Sequence, residues 1–208
     1  MYSGQVPRTA PAAVRTVLVE RAADMLARRE PVTLRALVAG TGASTMAVYT
    51  HFGGMPGLWR AVRQEGFTRL TERLAQVGTT DDPVHDLAAL GAAYADSALA
   101  RPALYRAMFD AEAELDDPAA AGAPFEALAA AAGRARDAGR FGPDTDPQRV
   151  ALQQWVSGHG LVSLVLSGVL PPEELGRQAP DILAALFAAA GDDPERTRAS
   201  VRAGWAAG

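Results

Sequence analysis

Hydrophobic positions recur at helical spacing along nearly the whole chain. Val14, Val17, Leu18, Ala22, Met25 and Leu26 share one face, which predicts an amphipathic helix over 10–29, ended by Pro31. Thr33 then reads as the cap of a short helix carrying Leu34, Leu37 and Val38, broken by Gly40-Thr41-Gly42. Ser44 caps a second short helix, Thr45 to Thr50, closed by His51-Phe52-Gly53-Gly54. Two short helices joined by a glycine-containing turn and packed on a longer first helix make the helix-turn-helix plan.

Further along, four Asp-Pro pairs punctuate the chain: Asp82-Pro83, Asp117-Pro118, Asp146-Pro147 and Asp193-Pro194. Asp at the cap accepts bonds from free backbone N–H groups, and Pro at the first helical position has no N–H to leave unpaired, so each pair predicts a helix start. Pro102 leads a short helix with Leu104, Tyr105, Met108 and Phe109, and the Ala-rich stretch 118–138 is a helix whose start Gly122-Ala123-Pro124 delays to about residue 124. Pro180 is expected to start the helix carrying Ile182, Leu183, Leu186 and Phe187. The expected fold is all-α, with nine or ten helices: an N-terminal three-helix helix-turn-helix domain (1–54), a connecting helix (55–78) and a larger C-terminal helical bundle (79–208).

Composition changes this picture through charge. The 208 residues carry a net charge of −4, yet residues 1–77 hold ten Arg against five acids (+5) and residues 78–208 ten Arg against nineteen acids (−9). A basic N-terminal third on an acidic body suggests a polyanion-binding module. With no cysteine, disulfides, thiol nucleophiles and thiolate metal sites are excluded. No apolar run approaches the ~20 residues that span a bilayer, and no signal-peptide pattern opens the sequence, so a cytoplasmic protein without membrane partners is expected. His51, His85 and His159 stand on separate segments without metal-ligand spacing, and no phosphate loop or strained nucleophile turn is present. Neither enzymatic activity nor a cofactor or metal is expected.

The second short helix contains no acid. The hydroxyls of Thr45 and Thr50 can reach base edges, Met46 and Ala47 can lie against a thymine methyl, and Tyr49 and His51 can reach phosphate oxygens. Thr33 and Ser44 set hydroxyls at two helix N-termini, where backbone N–H groups favour phosphate. Val48 and Phe52, four apart, face inward. The run Thr33-Leu-Arg-Ala-Leu-Val-Ala-Gly-Thr-Gly-Ala-Ser-Thr-Met-Ala-Val-Tyr-Thr-His-Phe52, followed by Leu58, resembles the DNA-binding domain of the TetR-type transcriptional repressors, with Tyr-x-His-Phe at 49–52 the most recognisable element. The resemblance covers residues 10–60. It implies that Thr45, Met46 and Ala47 meet bases while Thr33, Ser44, Tyr49 and His51 hold the DNA backbone. Two positions depart from the pattern: Met55 stands where the family often has Lys, and Val38 where a small residue is usual. Arg8, Arg15 and Arg60 are the candidates to replace the missing phosphate contact.

In the C-terminal part, helix 147–167 is apolar on two sides, with no Asp, Glu, Lys or Arg between Gln154 and Glu173. Trp155, His159, Val162 and Leu166 fall on one face, and Ser157, Gly160, Leu161, Leu164 and Gly168 on nearly the opposite one. One face is expected on the body and the other, with Ile182, Leu186 and Phe187, on a second copy of the chain, as the two-fold logic of helix-turn-helix proteins favours. Trp155-x-x-x-His159-Gly160 resembles the WHG domain, a C-terminal type in part of the TetR-type family. That likeness implies a small-molecule effector, with Tyr94, Tyr105, Met108, Phe109, Phe125, Trp155 and His159 as candidates to line its pocket; the same residues also describe an ordinary core. The acidic field of this part would favour a cationic ligand.

The expected function is a homodimeric, ligand-responsive regulator that binds a double-stranded DNA operator, most simply as a repressor. The alternatives are a helical interaction module and a non-specific DNA binder, and the acidic body speaks against the second of these.

Overall fold

The computed structural model describes residues 11–109 and 115–208. Among these residues there are ten α-helices and no strand, so the all-α expectation is borne out. They are α1 (Pro11–Ala27), α2 (Leu34–Val38), α3 (Thr45–Phe52), α4 (Met55–Ala75), α5 (Pro83–Ala100), α6 (Pro102–Met108), α7 (Ala119–Asp137), α8 (Pro147–Leu166), α9 (Glu173–Ala189) and α10 (Pro194–Ala207). Among the described residues no helix is long and apolar enough to cross a membrane.

The chain divides into two compact units. The first takes the chain up to Gly66 and adds α6 from Ala103 onward, so α4 contributes only its opening turns to this unit. Its core sets Leu18, Ala22 and Met25 of α1 against Leu37 of α2, Val48 of α3, Leu58 and Val62 of α4, and Leu104 of α6, each almost fully buried. Packing is tight where α4 meets α6: a Cβ at Gly66 would lie 2.3 Å from Met108 Cγ.

The second unit comprises Phe67–Pro102 and Asp117–Gly208. Its central element is α5, packed by α7, α8, α9 and α10. Val84, Leu87, Ala88 and Ala93 have no exposed surface. The many alanines of α5 let its neighbours approach closely, and so does Gly204 on α10, where a Cβ would stand 2.1 Å from the His85 carbonyl oxygen.

All four Asp-Pro pairs stand at helix starts. Asp82 caps α5 through Val84 and His85 N–H, Asp146 caps α8 through Gln148 N–H, and Asp193 caps α10 through Glu195 and Arg196 N–H. Asp117 accepts from Ala119 N–H at 3.0 Å at the start of α7. Two other prolines correct the sequence reading. Pro124 lies inside α7 and Pro180 inside α9, instead of starting them. Each forfeits one backbone bond to the carbonyl four residues earlier. In α9 the turns before Pro180 are held in the helix by burial of Leu175 and Ala179, a tertiary gain that local propensity does not register.

A buried ionic cluster ties the far ends of the second unit together. Arg140, between α7 and α8, grips Asp192 with Nε donating to Oδ1 at 2.8 Å and Nη2 to Oδ2 at 2.7 Å. It also donates to Asp82 and, at 3.0 Å, to Ser200 Oγ. Thr197 Oγ1 donates to Asp192 at 2.6 Å. The α5 cap, the α9–α10 connection and α10 are thereby fixed to one guanidinium, whose planar fork suits a carboxylate on each side.

Candidate nucleic-acid interface and ligand cavity

The helix-turn-helix is built by local signals. Thr33 Oγ1 accepts from Ala36 N–H at 3.3 Å and starts α2. Between α2 and α3, Thr41 Oγ1 donates to the Val38 carbonyl at 2.8 Å and accepts from Ala43 N–H at 3.2 Å. Ser44 occupies the cap position of α3, but its hydroxyl makes no capping bond. Gly53 ends α3 in the left-handed conformation (φ 70°), its N–H bonded to the Tyr49 carbonyl, a backbone state that favours glycine.

Val48 and Phe52 anchor α3 on the core, and the Arg15 guanidinium lies 5.6 Å from the Phe52 ring centroid. The opposite face presents Thr45, Met46, Tyr49 and Thr50 to solvent, with Met46 67% and Tyr49 53% exposed. Met46 and Tyr49, three residues apart, thus set apolar and aromatic surface side by side on this face. Thr50 Oγ1 donates back to the Met46 carbonyl at 3.0 Å, leaving the oxygen lone pairs outward. Ala47 and His51 are half-buried at the edges of this face. Of the candidate phosphate-binding arginines, Arg15 and Arg60 reach Asp116 at 3.8 and 3.5 Å, an exposed and therefore weak pairing. Arg8 lies outside the described residues.

A cavity of about 640 Å³, part of it open to solvent, lies within the second unit. Its walls come from the end of α4 (Leu74), α5 (Leu90, Gly91, Tyr94), α7 (Pro124, Leu128), α8 (Gln154, Trp155, Leu161), α9 (Leu175, Ile182, Leu183) and Trp205 of α10. Of the candidate lining residues, Tyr94 and Trp155 are in the wall. Phe125 packs on Trp155 with ring centroids 5.6 Å apart. His159 stands behind the wall, its Nδ1 sharing a hydrogen bond with Tyr94 OH at 3.2 Å. Burial holds the His159 imidazole below its ordinary pKa, which favours the neutral form.

Tyr105, Met108 and Phe109 are not among the walls. They fold with the first unit, where Tyr105 and Phe109 meet edge to face at 5.1 Å and the Met108 carbonyl accepts from Arg63 Nε at 2.9 Å. The sequence places them just after α5 but carries no sign of which core α6 joins. Among the described residues no Asp, Glu, Lys, Arg or His side chain lines the cavity, so these walls offer a cationic ligand no counter-charge. Gln154, Leu90, Gly91 and Trp205 are wall residues that the sequence reading did not single out; Gln154 and Gln153 are adjacent and alike until the orientation of α8 is known.

That orientation also revises the expected pairing surface. Leu161 is buried and lines the cavity together with Ser157 and Ile182, and Phe187 is fully buried against Phe141 at 5.8 Å. Gly160, Leu164 and Gly168 are exposed and Leu186 is half-buried. The outward stripe of α8 is Leu152, Val156, Gly160 and Leu164, each four residues on from the last. With apolar residues on every side, α8 gave no polar face from which to orient it.

Residues 87–175 match the family described as the tetracyclin repressor-like C-terminal domain, a span that includes the Trp155–His159–Gly160 motif. No curated protein matches the sequence. Among solved structures, a protein of unknown function from Rhodococcus sp. RHA1 is 25% identical, with a TM-score of 0.77 over 90% of this chain and 100% of its own. SmeT, the repressor of the Stenotrophomonas maltophilia multidrug efflux pump SmeDEF, is 24% identical, with a TM-score of 0.60 over 86% of this chain and 91% of its own. PfmR, a TetR family transcriptional regulator from Thermus thermophilus, shares the fold at 17% identity and a TM-score of 0.62, over 80% of this chain and 96% of its own. The match to the repressor-like domain thus covers residues 87–175, less than half of the chain, and the fold is one that these regulators share.

Proposed function

We propose that the protein is a homodimeric transcriptional regulator, acting as a repressor, that reads an operator in double-stranded DNA with α3 and leaves it when a small molecule occupies the cavity. The observation that carries this reading is the outward face of α3, where Thr45, Met46, Tyr49 and Thr50 stand exposed without an acid among them. Thr33, Ser44, Ala47 and His51 flank that face as backbone-holding and base-edge contacts. In the domain scheme we propose, 1–54 binds DNA, 55–78 is the connecting helix, and 79–208 binds ligand and pairs the subunits. Helix α6 is the exception, because it packs with the first unit.

Dimer formation is supported by the exposed stripe of α8, which is apolar and uncharged; Gly160, with open space around it, would let a partner helix approach closely. Release by a small molecule is supported by the cavity and by the SmeT–triclosan complex, in which a protein of the same fold binds such a molecule. Because a ligand shifts an equilibrium only through its differential affinity, the effector must prefer the arrangement that does not bind DNA.

Footprinting of the upstream region with wild type and Tyr49→Ala tests the docking face. Wild type should protect one near-palindromic site, while the variant loses protection and keeps its sedimentation mass. Protection retained by Tyr49→Ala overturns α3 as the reading helix, and the absence of any site favours an interaction module.

A further inference from the structure

We infer that the cavity selects an uncharged, largely apolar molecule carrying a hydrogen-bond donor, and that Gln154 is the residue that recognises the donor. This rests on the cavity being the ligand site proposed above. The class of ligand follows from the walls. Among the described residues they contain no Asp, Glu, Lys, Arg or His, and their surface comes mainly from Leu, Val, Ile, Pro and aromatic rings. An ionised ligand would leave water for a site without a counter-charge, which strongly disfavours it.

The donor requirement comes from one atom. Gln154 lines the cavity and is only 3% exposed. Its Nε2 donates to the Leu87 carbonyl at 2.7 Å, and since a carbonyl can only accept, this bond fixes which end of the amide faces α5. The other end, Oε1, is buried and has no hydrogen-bond partner. Buried acceptors without a partner are rare, because the solvation they lose is not replaced. The amide is also held in position: a Cβ at Gly91 would come within 3.3 Å of Nε2, so the bare glycine lets Gln154 lie against α5. Gln154 therefore offers a fixed acceptor in a mainly apolar chamber, where the other side-chain polar groups of the described wall are the hydroxyls of Tyr94 and Ser157 and the indole N–H groups of Trp155 and Trp205. A ligand hydroxyl or N–H satisfies it, whereas an ether or ketone of the same shape has no donor to offer and leaves Oε1 unpaired.

Calorimetric titration of the full chain with three probes of one shape tests this: 4-propylphenol, its methyl ether 4-propylanisole, and the anion 4-propylbenzoate. Wild type should bind the phenol on the order of tenfold more tightly than the ether, and the benzoate more weakly than both. In Gln154→Leu the preference for phenol over ether should fall to about one, chiefly through weaker phenol binding; Gln154→Met serves if the leucine variant does not fold. Equal affinity of wild type for phenol and ether, or a preference that survives in the variant, overturns the role of Gln154 but leaves the cavity a ligand site. Benzoate binding as tight as that of the phenol overturns the uncharged class. If none of the three binds, the cavity reading fails and this inference with it.

Discussion

Replacing Arg140 by Met removes the cation around which the second unit closes. The Arg140 side chain is 1% exposed and that of Asp192 3%, so their bidentate pair lies out of water. After the substitution Asp192 keeps the Thr197 hydroxyl but has no counter-charge, and Asp82 keeps Ser200. Breaking a buried pair by deleting one partner costs about 3–5 kcal/mol. The contact with Asp82 adds less, because that carboxylate is 36% exposed. At about 2–4 °C per kcal/mol for a chain of this size, the melting temperature should fall by roughly 6–20 °C at pH 7.

The loss should also depend on pH. Burial opposes ionisation of Asp192, but the Arg140 hydrogen bonds, the Thr197 hydroxyl and the Arg140 charge outweigh it and hold its pKa below the ordinary value. Asp82 is likewise lowered, against burial, by the Ser200 hydroxyl, the His85 N–H and Arg140. A depressed carboxylate contributes stability that is fully present above the unfolded pKa of about 3.9 and is lost as pH falls through the folded value. The gap between wild type and Arg140→Met should therefore be wide at pH 7 and narrow in acid below about pH 4. Thermal unfolding followed by circular dichroism at several pH values measures both. A fall of less than about 2 °C at pH 7, or a gap that does not close in acid, refutes the reasoning.

Other substitutions probe the packing and the assembly. Gly204→Ala would set a Cβ 2.1 Å from the His85 carbonyl oxygen, forcing α10 off α5 and lowering stability by about 1–3 kcal/mol; an unchanged urea midpoint contradicts that close approach. Val156→Arg and Gly160→Trp each disturb the outward stripe of α8 and should shift sedimentation from dimer to monomer, whereas an unaltered dimer mass would refute this interface.

The parts of the fold that the sequence made legible rest on strong local chemistry. Each Asp-Pro pair combines a cap with a residue fit for the first helical turn, and each stands at a helix start. The short helices around Gly40-Thr41-Gly42 were equally readable. Tertiary choices were not. Pro124 and Pro180 look like starts because local propensity opposes proline within a helix, and only the burial of Leu175 and Ala179 explains why α9 runs through. Helix α6 carries apolar residues suited to either core, so its place with Leu18 and Val62 instead of the cavity was invisible. Gln154 is not legible in the sequence, because a glutamine on an apolar helix acquires meaning only through the Leu87 carbonyl that holds one end of its amide.

Sequence-specific DNA recognition is measured as binding of the purified chain to its own upstream region and to a scrambled duplex across a salt series. Tight, saturable binding to one near-palindromic site is expected, with a preference over the scrambled duplex that persists as salt weakens both. Equal, steeply salt-dependent affinity for the two duplexes, or no binding to either, would contradict it.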